Sequence, residues 1–367
     1  MTKTGGLLSR QVDITYTPGK YVQDFDGWRG LGIIFVVLAH YAPQVFIGSW
    51  VFMEMFFVMS GFLITGILMD TKQKKNYFKS FISRRIVRVF PLYYLSLVIF
   101  LFLIPDSWLD SSYQREHQIW YWLYIENWLF AVDGWPAVKG FSHFWSLAIE
   151  EQFYIMWPFV VMIFSSKNLI RFCIFLFFFS LFFRNVGMEL GFVMPFPYVA
   201  TFARMEGIVL GAIIAVLVRT DKTVLERFVV PVTVISGIAA AIVFMIAGTM
   251  HMEYGLNYRI NYTLVDIFFA GMITLTLCSK ELPKLKSLFR LNMMKQLGIM
   301  SYCIYIFHRP IQIITLNKFY SYFFELTASD GMSKLICAAL SFFIMVPVIY
   351  IIHKKFEAPV WSLKKYF

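Results

Sequence analysis

Arg29 and His40 lie eleven residues apart in this 367-residue chain, joined by an almost wholly apolar stretch. On an α-helix that spacing is about 16.5 Å of rise and about 20° of rotation, so the two side chains share one face at different depths. Polar groups sunk in an apolar helix are costly and usually functional, although a helix–helix hydrogen bond would also account for His40. A second pattern, Arg85 and Arg88 within Phe81-Ile82-Ser83-Arg84-Arg85-Ile86-Val87-Arg88, puts two guanidinium groups on one helical face. Guanidinium groups suit phosphate, which they bind bidentately; ordinary cytoplasmic charge or anionic lipid would explain them as well. A third lies in Ser142-His143-Phe144-Trp145-Ser146-Leu147-Ala148-Ile149-Glu150-Glu151. Glu150 shares the face of Ser146 four residues earlier. Neighbours on a helix point about 100° apart, so at most one of Glu150 and Glu151 easily faces an interior centre. Two adjacent carboxylates at membrane depth point to a functional centre, although a structural pair holding helices together would also account for them.

The elements that must hold these groups are membrane helices. Hydrophobic residues make up 59% of the chain and aromatics 19%, far beyond a soluble domain of this size. Runs long enough to cross about 30 Å of hydrocarbon fall near 29–48, 49–69, 88–104, 144–164, 169–185, 199–218, 228–249, 260–279, 296–315 and 333–352. The expectation is an all-α polytopic bundle of about ten spans. With the N-terminus inside, 25 of the 33 basic residues, Lys3 among them, fall in cytoplasmic segments, which places both termini in the cytoplasm. The net charge of +11 then needs no nucleic acid to explain it. Residues 1–25 read as a cytoplasmic tail without a signal-peptide pattern, 26–353 as the membrane domain and 354–367 as a second cytoplasmic tail. Cys173, Cys278, Cys303 and Cys337 fall within spans with no metal or redox spacing and read as packing residues; no metal is expected. The outer connection, 105–143, is rich in Trp and Tyr, and Ile119 to Ala131 is expected to form a short interfacial helix.

Depth then sorts the remaining ionisable residues. Glu54, Arg204, Glu206, Asp266 and His308 fall, like His40 and Glu150, in the outer halves of their expected helices, with Arg204 inside a span. A phosphate-binding cytoplasmic rim joined to a polar centre displaced outward is what transfer across a membrane requires.

These residues resemble the membrane-bound acyltransferase 3 family, whose members move acyl groups, most often acetyl from acetyl-CoA, onto extracytoplasmic glycans. The resemblance rests on Asp26 to Gly30 with His40; Glu54-Met55-Phe56-Phe57-Val58-Met59-Ser60-Gly61-Phe62-Leu63-Ile64; Arg85, Arg88 and Pro91-Leu92-Tyr93; and Phe144 through Glu150 to Tyr154. Later parts are Arg204-Met205-Glu206-Gly207 with Gly211, and Gly298 through Ser301, Tyr302 and His308 to Pro310. Trp28 stands where the family commonly has an aliphatic residue, and Glu54 where it often has Asp.

The resemblance implies that Arg85 and Arg88, with Arg29, hold acyl-CoA on the cytoplasmic side. His40 would be the general base for an acceptor hydroxyl, with Glu150 orienting its ring as the third member of a triad does; an acyl-histidine route is equally open. Glu54, Ser146, Glu151, Arg204, Glu206, Asp266 and His308 would line or support the site. A glycan at the outer face of a bacterial cytoplasmic membrane, surrounded by lipid, is the expected acceptor. The competing reading is a transporter or flippase whose relays use the same residue types, but the paired, Gly- or Pro-broken spans such folds carry are not visible.

Overall fold

The computed structural model describes residues 10–137 and 140–366; Lys3 and the rest of the first nine residues lie outside them. Among the described residues, ten helices are fifteen residues or longer: α1 Asp24–Tyr41, α2 Val51–Thr71, α3 Tyr77–Val98, α4 Trp145–Ile163, α5 Ser166–Glu189, α6 Glu206–Thr220, α7 Thr223–Ala247, α8 Tyr262–Thr276, α9 Ser301–Thr327 and α10 Asp330–Ile352. Each expected apolar run overlaps one of them. Among the described residues, six stretches are long and apolar enough to cross a membrane: Ile47–Thr71, Tyr77–Leu103, Ser142–Ile163, Ser166–Glu189, Thr223–Ala247 and Asp330–Tyr366. The chain is thus a multi-pass helical membrane protein. α6 and α8, at fifteen residues each, reach only about 22 Å and fall short of a full crossing by themselves.

Exposed side chains on the peripheral helices are apolar, as lipid contact demands. They include Phe175, Phe178 and Phe182 on α5, Ile235, Ile238 and Ile242 on α7, and Phe342 and Phe343 on α10. Inside, α2 and α6 meet closely because both carry glycine at the crossing. A side chain at Gly61 would collide with the backbone of Ile208, and one at Gly211 with that of Val58. Without a hydrophobic drive between helices in lipid, such close backbone approach is what holds them together.

Three expectations change in detail. The stretch Ile119 to Ala131 is not one interfacial helix. Tyr124 adopts a left-handed backbone, φ 54°, splitting it into Gln118–Trp122 and Glu126–Asp133. Tyr121, Tyr124, Leu129 and Phe130 are buried, and Tyr124 stacks on Tyr93 of α3 at 4.0 Å between ring centres, so this segment plugs the bundle. Arg204 is not inside a helix either: it follows the single turn Thr201–Ala203 and precedes α6. Finally, the residues after α10 continue as helix through Ser362 and pack on α3.

Candidate active site

α1 carries Arg29 in its second turn and His40 in its last, and α9 packs beside it, with Tyr302 near Arg88 and His308 against His40. The two helices define an arginine end and a histidine end. At the arginine end, the Arg29 guanidinium pairs with Asp26 at 3.2 Å and faces Arg88 and Tyr154. Arg85 lies over the rings of Tyr154, 5.2 Å to the centroid, and Phe81, 5.7 Å. Arg88 lies over Trp361 at 5.4 Å. Neither Arg85 nor Arg88 is within ion-pair distance of a carboxylate among the described residues. A cavity of about 190 Å³ opens beside them, lined in part by Lys74, Asn76, Tyr77, Arg84 and Arg85.

Glu150 belongs to this end. Its carboxyl faces the hydroxyls of Ser60 and Tyr154, with Arg85 and Arg29 nearby; those two hydroxyls are 2.6 Å apart. Glu151, expected to diverge from the interior if Glu150 entered it, is the more buried of the two and lies near Arg85. One turn before Glu150, Ser146 shares a 2.6 Å hydrogen bond with Tyr305 of α9. The Tyr305 hydroxyl also donates to the backbone carbonyl of His143. A line of polar groups thus leads from the arginines through Glu150, Ser146 and Tyr305 to the histidines.

Three imidazoles meet at the far end. His40 and His308 are 5.0 Å apart between ring centres, His143 and His308 4.9 Å, and His40 and His143 6.3 Å. His308 Nδ1 lies 3.2 and 2.8 Å from the carbonyl oxygens of Ile304 and Tyr305. A carbonyl only accepts, so that nitrogen carries the hydrogen and a neutral ring leaves Nε2 as an acceptor. His40 Nδ1, 3.2 Å from that Nε2 and 2.9 Å from the Val36 carbonyl, must then donate. The free electron pair of His40 is therefore on Nε2. The expected orienting contact from Glu150 is not what this ring makes: among the described residues its hydrogen bonds go to Val36 and His308, because Glu150 sits two turns deeper, among the arginines.

His143 is the group the sequence reading passed over. It precedes α4, at the end of the stretch that the sequence assigns to the outer connection. In the folded chain it is 3% exposed, and neither ring nitrogen completes a hydrogen bond. The ring faces the backbone of Ile306, whose carbonyl has lost its helical donor because residue 310 is proline.

Glu54, Arg204, Glu206 and Asp266 gather elsewhere, with a partner the sequence reading also missed, Arg184 of α5. Glu206 Oε1 is 2.7 Å from Arg184 Nη2 and Oε2 2.8 Å from its Nη1, with Ser180 and Thr263 donating at 3.0 and 2.8 Å. Arg204 donates to Glu54 and lies over Tyr262 at 4.4 Å and Tyr198 at 5.1 Å. Asp266 faces Glu54 and Arg204.

Known proteins supply the remaining constraint. The peptidoglycan O-acetyltransferase OatA of Listeria monocytogenes is 29% identical over 325 residues, 81% of this chain and 50% of that protein. The O-acetyltransferase OatA of Staphylococcus aureus is 27% identical over 333 residues, 85% of this chain and 53% of that protein. The chain thus spans about half the length of these relatives. No solved structure matches it. Residues 22–354, which hold α1 to α10 and both ends of the polar line, match the acyltransferase domain throughout, and the chain belongs to the acyltransferase 3 family.

Proposed function

We propose that the protein transfers an acetyl group from acetyl-CoA, bound on the cytoplasmic side, to a hydroxyl of an extracytoplasmic glycan. In this reading all ten long helices cross the bilayer of a bacterial cytoplasmic membrane, α6 and α8 being completed by the irregular segments before them, and both termini are cytoplasmic. The observation that carries it is the separation of Arg29 and His40 on α1. One end of that helix meets Arg85 and Arg88, which pair with no carboxylate among the described residues and are suited to phosphate. The other meets imidazoles, suited to proton transfer.

The chemistry follows from the His40 tautomer. Nε2 accepts the proton of the acceptor hydroxyl as its oxygen bonds to the acyl carbon. The carbon–sulfur bond then breaks and CoA leaves as thiolate. His143, with two unpartnered ring nitrogens at the same level, is the next group with a hydrogen bond to offer the reacting atoms. Glu150, among Arg85, Tyr154 and Ser60, lies along the donor path rather than against the base. Acceptance of a glycan agrees with the relatives' names, which concern O-acetylation.

Transfer of labelled acetyl from acetyl-CoA to an oligosaccharide by purified protein in liposomes tests the reading. His40→Ala should lower kcat by about 10²- to 10⁴-fold, the range of a lost general base. Unimpaired transfer would sink the assignment of His40, and no transfer by the unaltered protein would sink acetyl-CoA as donor.

A further inference from the structure

We propose that His308 is the positioning residue of this site: it fixes the tautomer of His40, the task that a carboxylate performs in a serine protease triad. The inference rests on the reading of His40 as base. Three contacts carry it. The carbonyls of Ile304 and Tyr305 hold the hydrogen of His308 on Nδ1, at 3.2 and 2.8 Å. Its Nε2 therefore accepts, 3.2 Å from His40 Nδ1. His40 is then obliged to keep its own hydrogen on Nδ1, and Nε2 stays basic.

The Val36 carbonyl, 2.9 Å from the same Nδ1, accepts from it as well; among the described residues no other side chain is placed for this task. The charged or titratable neighbours facing the two rings are Arg309, His143, Tyr41 and Tyr305, from α1, α9 and the segment before α4; none is a carboxylate. The spacing of the pair is held from both sides. Gln312 Nε2 donates to the His40 carbonyl at 2.6 Å, and the Tyr41 hydroxyl to the His308 carbonyl at 3.0 Å. These bonds pin α1 to α9 at the level of the two rings. When His40 takes a proton, its Nδ1–H remains bonded to an acceptor whose far side is anchored in backbone, so the new positive charge meets an oriented lone pair instead of hydrocarbon.

Two variants in detergent or nanodiscs separate positioning from packing. In His308→Leu the acceptor is gone, and kcat should fall by about 10²-fold, less than the roughly 10⁴-fold of a triad forced into the wrong tautomer, because Val36 still accepts. KM for donor and acceptor should hold. In His308→Gln the side-chain carbonyl can accept from His40 Nδ1–H, and most of the rate should return. Nitrogen NMR of ¹⁵N-histidine protein reads the tautomer directly. His40 should be Nδ1–H in the unaltered protein and in His308→Gln, and a mixture in His308→Leu. An unchanged His40 spectrum in His308→Leu, or a rate in His308→Gln as low as in the leucine variant, overturns the proposal. His40→Ala run alongside keeps the two ideas apart: full activity there removes the base reading, whereas the NMR comparison decides the positioning claim by itself.

Discussion

The Glu206 network and the His40 group are both polar clusters sunk among apolar helices, yet they are finished differently. Around Glu206 the carboxylate itself is consumed, since four donors meet it; the neighbouring Arg204 spends one N–H on Glu54 and its face on aromatic rings, while its Nε and Nη1, Arg184 Nε and Asp266 Oδ1 complete no hydrogen bond. Around His40 three imidazoles meet with Arg309 as a charged neighbour and no carboxylate facing them among the described residues, the ring nitrogens of His143 complete no hydrogen bond, and the basic nitrogen of His40 is left open. A cluster that joins helices must leave little unpaired, because an isolated charge in hydrocarbon is costly. A cluster that does chemistry must leave something for the substrate. By that measure the saturated Glu206–Arg184 pair joins helices, and the open nitrogen of His40 agrees with the reaction proposed for the histidines.

Breaking the first cluster should have the largest effect. Arg184→Met strands Glu206 in a site where both side chains are fully buried, and should cost about 3–5 kcal/mol of stability. Replacing both partners, Arg184→Met with Glu206→Leu, should recover most of that loss, because the penalty belongs to the unpaired charge. Thermal unfolding in one detergent measures both. A double variant no more stable than the single would mean that the pair contributes specific geometry beyond charge balance.

The second cluster should answer the other way round. His143→Leu removes two polar atoms that have no partners, so stability should stay within about 1 kcal/mol of the parent. Acetyl transfer should nevertheless fall by about 10²-fold, the lower end for a group acting on reacting atoms. Full activity with unchanged stability would reduce His143 to packing and shrink the open cluster to two rings.

That these clusters differ was only partly readable from residue order. Apolar runs gave the ten long helices, since membrane-scale hydrophobicity persists over enough residues to be seen one run at a time. The Arg29 to His40 interval and the Arg85, Arg88 pair survive as local features because one helix fixes each of them. What could not be read was pairing between helices. Arg184 sits at the end of its apolar run with nothing nearby to announce Glu206, 22 residues on. His143 looked like a loop residue because only packing against α1 and α9 buries it. The resemblance and the matching depth both pair Glu150 with His40, whereas the rotation of α4 turns it toward Arg85. The left-handed backbone at Tyr124 interrupts a segment whose composition is helical throughout, and no motif marks it.

Arg85 and Arg88 fall between the two extremes, covered by rings but not paired with carboxylates. Replacing both by Ala should weaken acetyl-CoA binding by roughly 10- to 100-fold, taking about 1.5–3 kcal/mol for charge-assisted hydrogen bonds to phosphate, while thermal stability changes little. Calorimetric titration with CoA checks it, and unchanged affinity would class the pair with ordinary cytoplasmic charge.

The smallest effect should come from Trp361, whose ring lies 5.4 Å from the Arg88 guanidinium and 3.8 Å from Lys364 Nζ. A cation over an aromatic face at a half-exposed site is worth about 0.5–1 kcal/mol, so the ring holds Arg88 in place without neutralising it. Trp361→Ala should therefore raise the Kd for CoA by only a few-fold and leave kcat alone. Trp361→Phe, which keeps a face for Arg88, should lie between the two. If Trp361→Ala matched the loss of Arg88 itself, the ring would be touching the donor directly, and the arginine end would extend into the helix that follows α10. If it instead tightened binding, Trp361 would be occupying the place of the phosphates, and the apparent openness of the arginine end would be a covered state that the donor must displace.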